Sequence, residues 1–304
     1  MADAGTKDTK LLGLRSEQAR LLWRCKAETY IPAMVHEQAE WLLEIIDQHL
    51  QDNVTWSRPL SHIIDKPPEV NVTQDASSKW GVGGHSANLR FYYQLAWTVF
   101  GPIFAKKVKD TLNKGGIADI HINWLEYIAC LLSFAAIITV MNEPEFQWPY
   151  HPSSLITGDN MTANKATEKG SSKTDSIIAQ ALCKIFCWLM RISKIEATSN
   201  YLNTHDNTFA DDLSRDALAN WINKLKLMSA HELCTYVRLP QTPENLTSTL
   251  SLRHFQPSLE LMSAIIGAVL HPELQPISFP NLNCKNLGHV SDVNSIGINF
   301  SQAH

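Results

Sequence analysis

The sequence has little of what marks the specialised classes of protein. Only 18% of its 304 residues are charged, and 26 Lys+Arg stand against 30 Asp+Glu, a formal net charge of −4. That balance excludes a strongly basic nucleic-acid arm, and 44% hydrophobic residues exclude a disordered tail or a coiled coil. The six cysteines contain no CxxC pair. The one close pair, Cys183 and Cys187 in an apolar segment, reads as core thiols and fits a reducing compartment. No apolar run comes after the opening MADAGTKDTK, so no secretory signal is read and NVT at 53 and 71 needs no glycan. The expected location is intracellular, in cytoplasm or nucleus. No internal repeat is present. The longest apolar stretch, YIACLLSFAAIITVM at 127–141, is shorter than the ~18–20 residues that cross hydrocarbon. It reads as a buried core helix, and no membrane partner is expected.

What is there suits a core of ordinary size that needs no disulfide or zinc staple. Residues 1–66 read as a helical extension, with Leu21, Leu22, Ile31, Met34, Trp41, Leu42, Ile45 and Ile46 at helical spacing and a break at Pro32. The run KPP at 66–68 marks a boundary. From 67 to 220, strand-like and helix-like segments interleave. Strands are predicted over 69–75, after the turn in SSKWGVGGH, over 90–100, over 153–160 and over 194–202. Helices are predicted from Trp124 to about Met141 with Asn123 as cap, around Ala163 and Ala166, over 175–192 and over 207–218. Such interleaving predicts an α/β layer fold. The stretch Asn88–Asp119 is longer than a hairpin needs and has no assigned place. Residues 221–304, rich in Pro, Asn and Ser, read as a poorly ordered tail or linker with one helix around Ser258–Leu270.

Four carboxylates fall at the ends of these elements. Each has an ordinary explanation: Asp75 as a turn residue, Glu126 as a capping-box acid, Asp159 as a helix cap with Asn160, and Asp211 with Asp212 as first-turn acids favoured by the helix dipole. Together they suggest more, because ligands of open α/β sheets gather beyond the carboxyl ends of strands, where Asp75 and Asp159 fall. Acids crowded at one edge repel one another unless cations are present. A pair of Mg2+ ions, or Mn2+, suits hard oxygen ligands without clustered His or Cys, and supports in-line phosphoryl displacement.

Four blocks carry a family resemblance: QDASSKWGVGGH, HINWLEYIACL, ITGDNMTANKATEKGSS and NTFADDLSR, in that order. They resemble the ribonuclease H domain of retroelement reverse transcriptases, DIRS-like retrotransposons above all, over about residues 69–218. FQPSLELMSAIIGAVL at 255–270 also resembles the segment C-terminal to that domain in such elements. The resemblance implies a ribonuclease H-like five-stranded mixed sheet flanked by helices, and hydrolysis of the RNA strand of an RNA/DNA hybrid by two-metal-ion catalysis. It places the catalytic and metal-binding acids at Asp75, Glu126, Asp159 and Asp211, with Asp212 facing away and Asn160 on the hybrid backbone. It also implies a polymerase domain of the parent element as partner. Where family members often carry a His before the last Asp, this chain has Tyr201, and His205 is out of register.

The motif FADD at 209–212 mimics the YxDD of a polymerase palm. It lies between polar YLNTHDNT and helical LSRDALANW rather than between apolar strands, which favours the nuclease reading. Integrases of similar fold place their Glu last, whereas the order here is Asp, Glu, Asp, Asp. Residues 67–220 hold 13 Lys+Arg and 15 Asp+Glu, or 13 against 11 once the four acids are set aside. Lys165, Lys169 and Lys173 are candidates for phosphate contacts or a solvated helix face. Two other readings stay open. One is a catalytically silent retroelement remnant that binds nucleic acid or serves a structural role. The other is a general α/β protein whose acids only cap helices and lie scattered.

Overall fold

The computed structural model describes residues 68–113, 120–144, 153–170, 176–238, 250–276 and 279–296, with a few helical residues between 39 and 47. The rest of the expected N-terminal extension, the Lys66–Pro67 part of the break and Lys173 lie outside the described residues.

The chain builds an α/β fold around one seven-stranded mixed sheet. Its strands are β1 (Val70–Ala76), β2 (Gly81–Ser86), β3 (Phe91–Ala96), β4 (Ser153–Gly158), β5 (Glu196–Tyr201), β6 (Leu250–Pro257) and β7 (Gly288–Ile296), in the order β5-β4-β1-β2-β3-β6-β7. β2 is antiparallel to β1 and β3, β4 is parallel to β1 and β5, β6 is parallel to β3, and β7 is antiparallel to β6. The helices are α1 (Pro102–Asn113), α2 (Ile122–Met141), α3 (Met161–Lys169), α4 (Ile177–Ser193), α5 (Thr208–Ser214), α6 (Leu218–Leu227), α7 (Ala230–Tyr236) and α8 (Leu259–Leu270).

α2 explains why 127–141 is apolar all round. It is long and apolar enough to cross a membrane by length and composition, yet nearly every residue from Trp124 to Val140 is buried in this fold. It lies across β1, β2 and β4. Tyr93 on β3 donates its hydroxyl to the Ala129 carbonyl at 2.9 Å, an in-core hydrogen bond that ties sheet to helix. The larger core gathers the side chains of α2, α4 and α8 on this face, including Val70, Val72, Phe134, Phe186, Phe255 and Ile265. A smaller core on the opposite face holds Tyr92, Leu213, Trp221, Leu225, Leu233, Val237 and Leu252 beneath α5, α6 and α7.

Four expectations change in detail. The sheet has seven strands, not five. The two additional strands come from the segment read as a poorly ordered tail, which contributes β6, α8 and β7. Ordinary alternation along β6 puts Leu252 in the smaller core and Phe255 in the larger, so neither face of the strand carries an apolar run. The strand expected over 90–100 stops at Ala96, and Trp97–Phe100 form a 3-10 turn whose Trp97 and Phe100 meet Phe104 of α1. This turn and α1 account for most of Asn88–Asp119. Finally, His121 rather than Asn123 caps α2, its Nδ1 accepting from the Asn123 N–H at 3.2 Å.

Candidate metal centre

Parallel pairing brings the carboxyl ends of β1 and β4 side by side, with Val72 opposite Ile156 and Thr73 opposite Thr157. Asp75 is the second-last residue of β1, and Asp159 comes directly after β4. Glu126 lies in the second turn of α2, past the reach of a capping box, and is buried. One carboxylate oxygen from each of Asp75, Glu126 and Asp159 falls within 4.8 Å of the others, so these three form a group that could hold a cation. Strand alternation sends Gln74 and Asp75 to opposite faces. Gln74 points to α2, where its Nε2 donates to Cys130 Sγ at 3.4 Å, while Asp75 turns to the face covered by α5.

α5 lies close because Gly83, opposite Asp75 on β2, has no side chain. A Cβ there would come within 2.5 Å of both the Leu213 carbonyl carbon and its Cβ. The start of α5 is tied to β1 by buried Asn207, whose Nδ2 donates to the Gln74 carbonyl at 3.1 Å. This docking puts Asp211 near enough to Asp75 for its charge to raise the Asp75 pKa. Asp211 is not one of the three converging acids, and its Oδ1 pairs with Arg215 at 2.5 Å. Asp212 points to α6, where its Oδ2 meets Lys224 Nζ at 2.5 Å.

The electrostatics are those of acids confined out of water. Burial lifts the Asp75 carboxyl to about 6, with Asp159 and Asp211 adding to the rise and Ser214 and Arg215 opposing it. Burial also pushes Glu126 well above the usual carboxylate range. Asp75 and Asp159 push it further, and a backbone hydrogen bond from Ala76 works the other way. Glu126 Oε2 is buried and has no hydrogen-bond partner among the described residues. An orphaned acceptor among three hard oxygen donors fits Mg2+ or Mn2+.

The remaining expected residues have other surroundings. Asn160 Oδ1 caps α3 by accepting from the N–H groups of Thr162 and Ala163 at 3.0 Å, and its Nδ2 donates to Asn123 Oδ1 at 3.0 Å. Its carboxamide therefore joins α3 to the start of α2. Lys165 and Lys169 lie one turn apart on the exposed face of α3. Tyr201 ends β5 opposite Gly158 and is exposed, as is His205.

Sequence reasoning missed Ser214, Thr204 and Asn207. Thr204 Oγ1 donates to Asp159 Oδ2 at 2.8 Å from the loop after β5. Ser214 Oγ donates to Asp75 Oδ2. One available signal was spacing, since Ser214 comes three residues after Asp211 and so shares its side of α5. No family model matches the chain, and no curated protein or solved structure matches it either.

Proposed function

We propose that the chain is a metal-dependent endonuclease of ribonuclease H type, hydrolysing the RNA strand of RNA/DNA hybrids. The observation that carries the reading is the meeting of Asp75, Glu126 and Asp159, separated in sequence and borne on three elements, within 4.8 Å at one sheet edge. Strands β1 to β5 are contiguous in the sheet and flanked by helices, which supports a ribonuclease H-like reading of that part of the fold.

A pair of divalent ions, when bound, supplies the Lewis acidity for in-line displacement at a phosphodiester. Asp75, Glu126 and Asp159 would hold them. The chain supplies the rest by position. Thr204 and Ser214 each donate to one carboxylate oxygen and restrain Asp159 and Asp75. Arg215 holds Asp211 beside the group, and the exposed Lys165 and Lys169 offer cations to the hybrid backbone from the helix after Asp159.

Purified protein is expected to cut the RNA of an end-labelled hybrid in Mg2+ or Mn2+, and Asp159→Asn to abolish the cut while leaving the circular dichroism spectrum unchanged. A folded wild-type chain that leaves the hybrid intact in both metals refutes the reading. The ion pair of Asp211 with Arg215 favours the alternative of a silent remnant, because a cation must compete with a guanidinium for that acid. Hybrid binding that is the same with and without divalent metal, together with no cleavage, would establish that alternative.

A further inference from the structure

Ser214 is the last residue of α5 and is fully buried. Its Oγ donates to Asp75 Oδ2 and lies 3.1 Å from the carbonyl oxygen of Asp211. A hydroxyl has one proton, and an ionised carboxylate only accepts, so beside charged Asp75 that proton goes to the carboxylate. The torsion that turns a carboxylate plane is broad and two-fold when nothing holds it. Here one oxygen is held from a helix whose own position is set by the missing side chain of Gly83 and by the bond from Asn207 to Gln74 of β1. The hydroxyl is out of contact with solvent, so water does not replace it at the carboxylate.

We propose that Ser214 is a positioning residue for the metal-binding carboxylate of Asp75, fixing the orientation in which Asp75 joins Glu126 and Asp159. The inference rests on the nuclease reading for the identity of the site, and on the buried hydroxyl for the role. Ser214 is not one of the acids that could hold a cation. It acts through Asp75 alone, which makes its effect separable from packing.

The test is calorimetric titration of Mn2+ into the full chain for wild type, Ser214→Ala, Ser214→Cys, Asp75→Asn and the Ser214→Ala/Asp75→Asn double variant, with hybrid cleavage and melting in EDTA measured alongside. Removing a group that holds a metal-binding side chain weakens metal affinity or activity by about 10–100-fold. Ser214→Ala is expected to weaken Mn2+ binding and lower kcat by that amount with KM for hybrid unchanged. Ser214→Cys, a weak donor, should fall between it and wild type. In the Asp75→Asn background Ser214→Ala should change Mn2+ binding no further. A lowered Tm with wild-type Mn2+ affinity shows a merely structural role and overturns the proposal, as does an equal loss of affinity in the Asp75→Asn background. Mn2+ binding without cleavage in the wild type overturns the nuclease reading while still deciding the role of Ser214 by affinity. Absence of Mn2+ binding in the wild type overturns both.

Discussion

Replacing Asp75 by Asn separates what the carboxylate cluster costs the fold from what it does. Burial, more than the neighbouring acids, carries the Asp75 carboxyl from its ordinary 3.8 to about 6. Between those values the folded chain keeps a proton that the unfolded chain has lost. Stability from this group is therefore complete below about pH 4 and is lost as pH rises through about 6. The gap corresponds to about 3 kcal/mol in favour of a neutral side chain at pH 8. Asp75→Asn removes the charge and keeps an oxygen that can accept from Ser214. In EDTA at pH 8 the variant is expected to be more stable than wild type by up to about 3 kcal/mol, the difference closing toward pH 4. Mg2+ should reverse the order, because an ion that binds only the folded state stabilises wild type and has little hold on the variant. Urea unfolding tracked by tryptophan fluorescence at pH 4, 6 and 8, with EDTA or Mg2+, reads all of this. Glu126, shifted in the same direction, leaves a residual pH dependence in the variant. An Asn variant less stable than wild type in EDTA at pH 8 would refute the claim that these acids are confined at a cost relieved by a cation.

Two further perturbations test how the site is assembled. Gly83→Ala puts a Cβ within 2.5 Å of the Leu213 backbone and should cost about 1–3 kcal/mol by overpacking. It should also lower Mn2+ affinity, because α5 must move away from Asp75; an unchanged affinity would show that α5 is not part of the site. Phe255→Ala, at a fully buried residue of β6 edge-on to Tyr93, is expected to cost about 3–5 kcal/mol in urea unfolding. A loss below about 0.5 kcal/mol would mean that 250–296 is the loose tail its composition suggests.

The parts of the fold legible in the sequence are those whose signals are local. β4 alternates throughout and β1 over its first half, both sit where 153–160 and 69–75 pointed, and α4 shows the apolar spacing expected of 175–192. α3 begins at Asn160 and ends at Gly170 as its punctuation suggests. Each of these is written within a dozen or so neighbouring residues. β6 was hidden because its buried apolar residues, Leu252 and Phe255, are divided between two faces and two cores, and β7 because a polar strand at the sheet's edge has one partner and little apolar content. At the centre, Asp75, Glu126 and Asp159 could be nominated from motif order, and their approach depends on β1–β4 pairing. The spacing of Ser214 from Asp211 was legible, but its bond to Asp75 was not, since that bond spans 139 residues and depends on an absent side chain at Gly83. The pairing of Asp211 with Arg215 is a local i,i+4 spacing that the motif reading passed over.

The pairing of β3 with β6 also has a consequence for synthesis. Phe91 meets Arg253, a partner 162 residues later in the chain. Ribosomes add about 5–20 residues each second, so a nascent chain that has already made β3 waits roughly 10–30 s for the strand that covers it. During that interval the growing polypeptide presents an open row of peptide groups beside Phe91 and Tyr93, a surface on which a second unfinished copy can pair. Translation speed and chaperone supply should therefore affect the yield of correctly folded molecules.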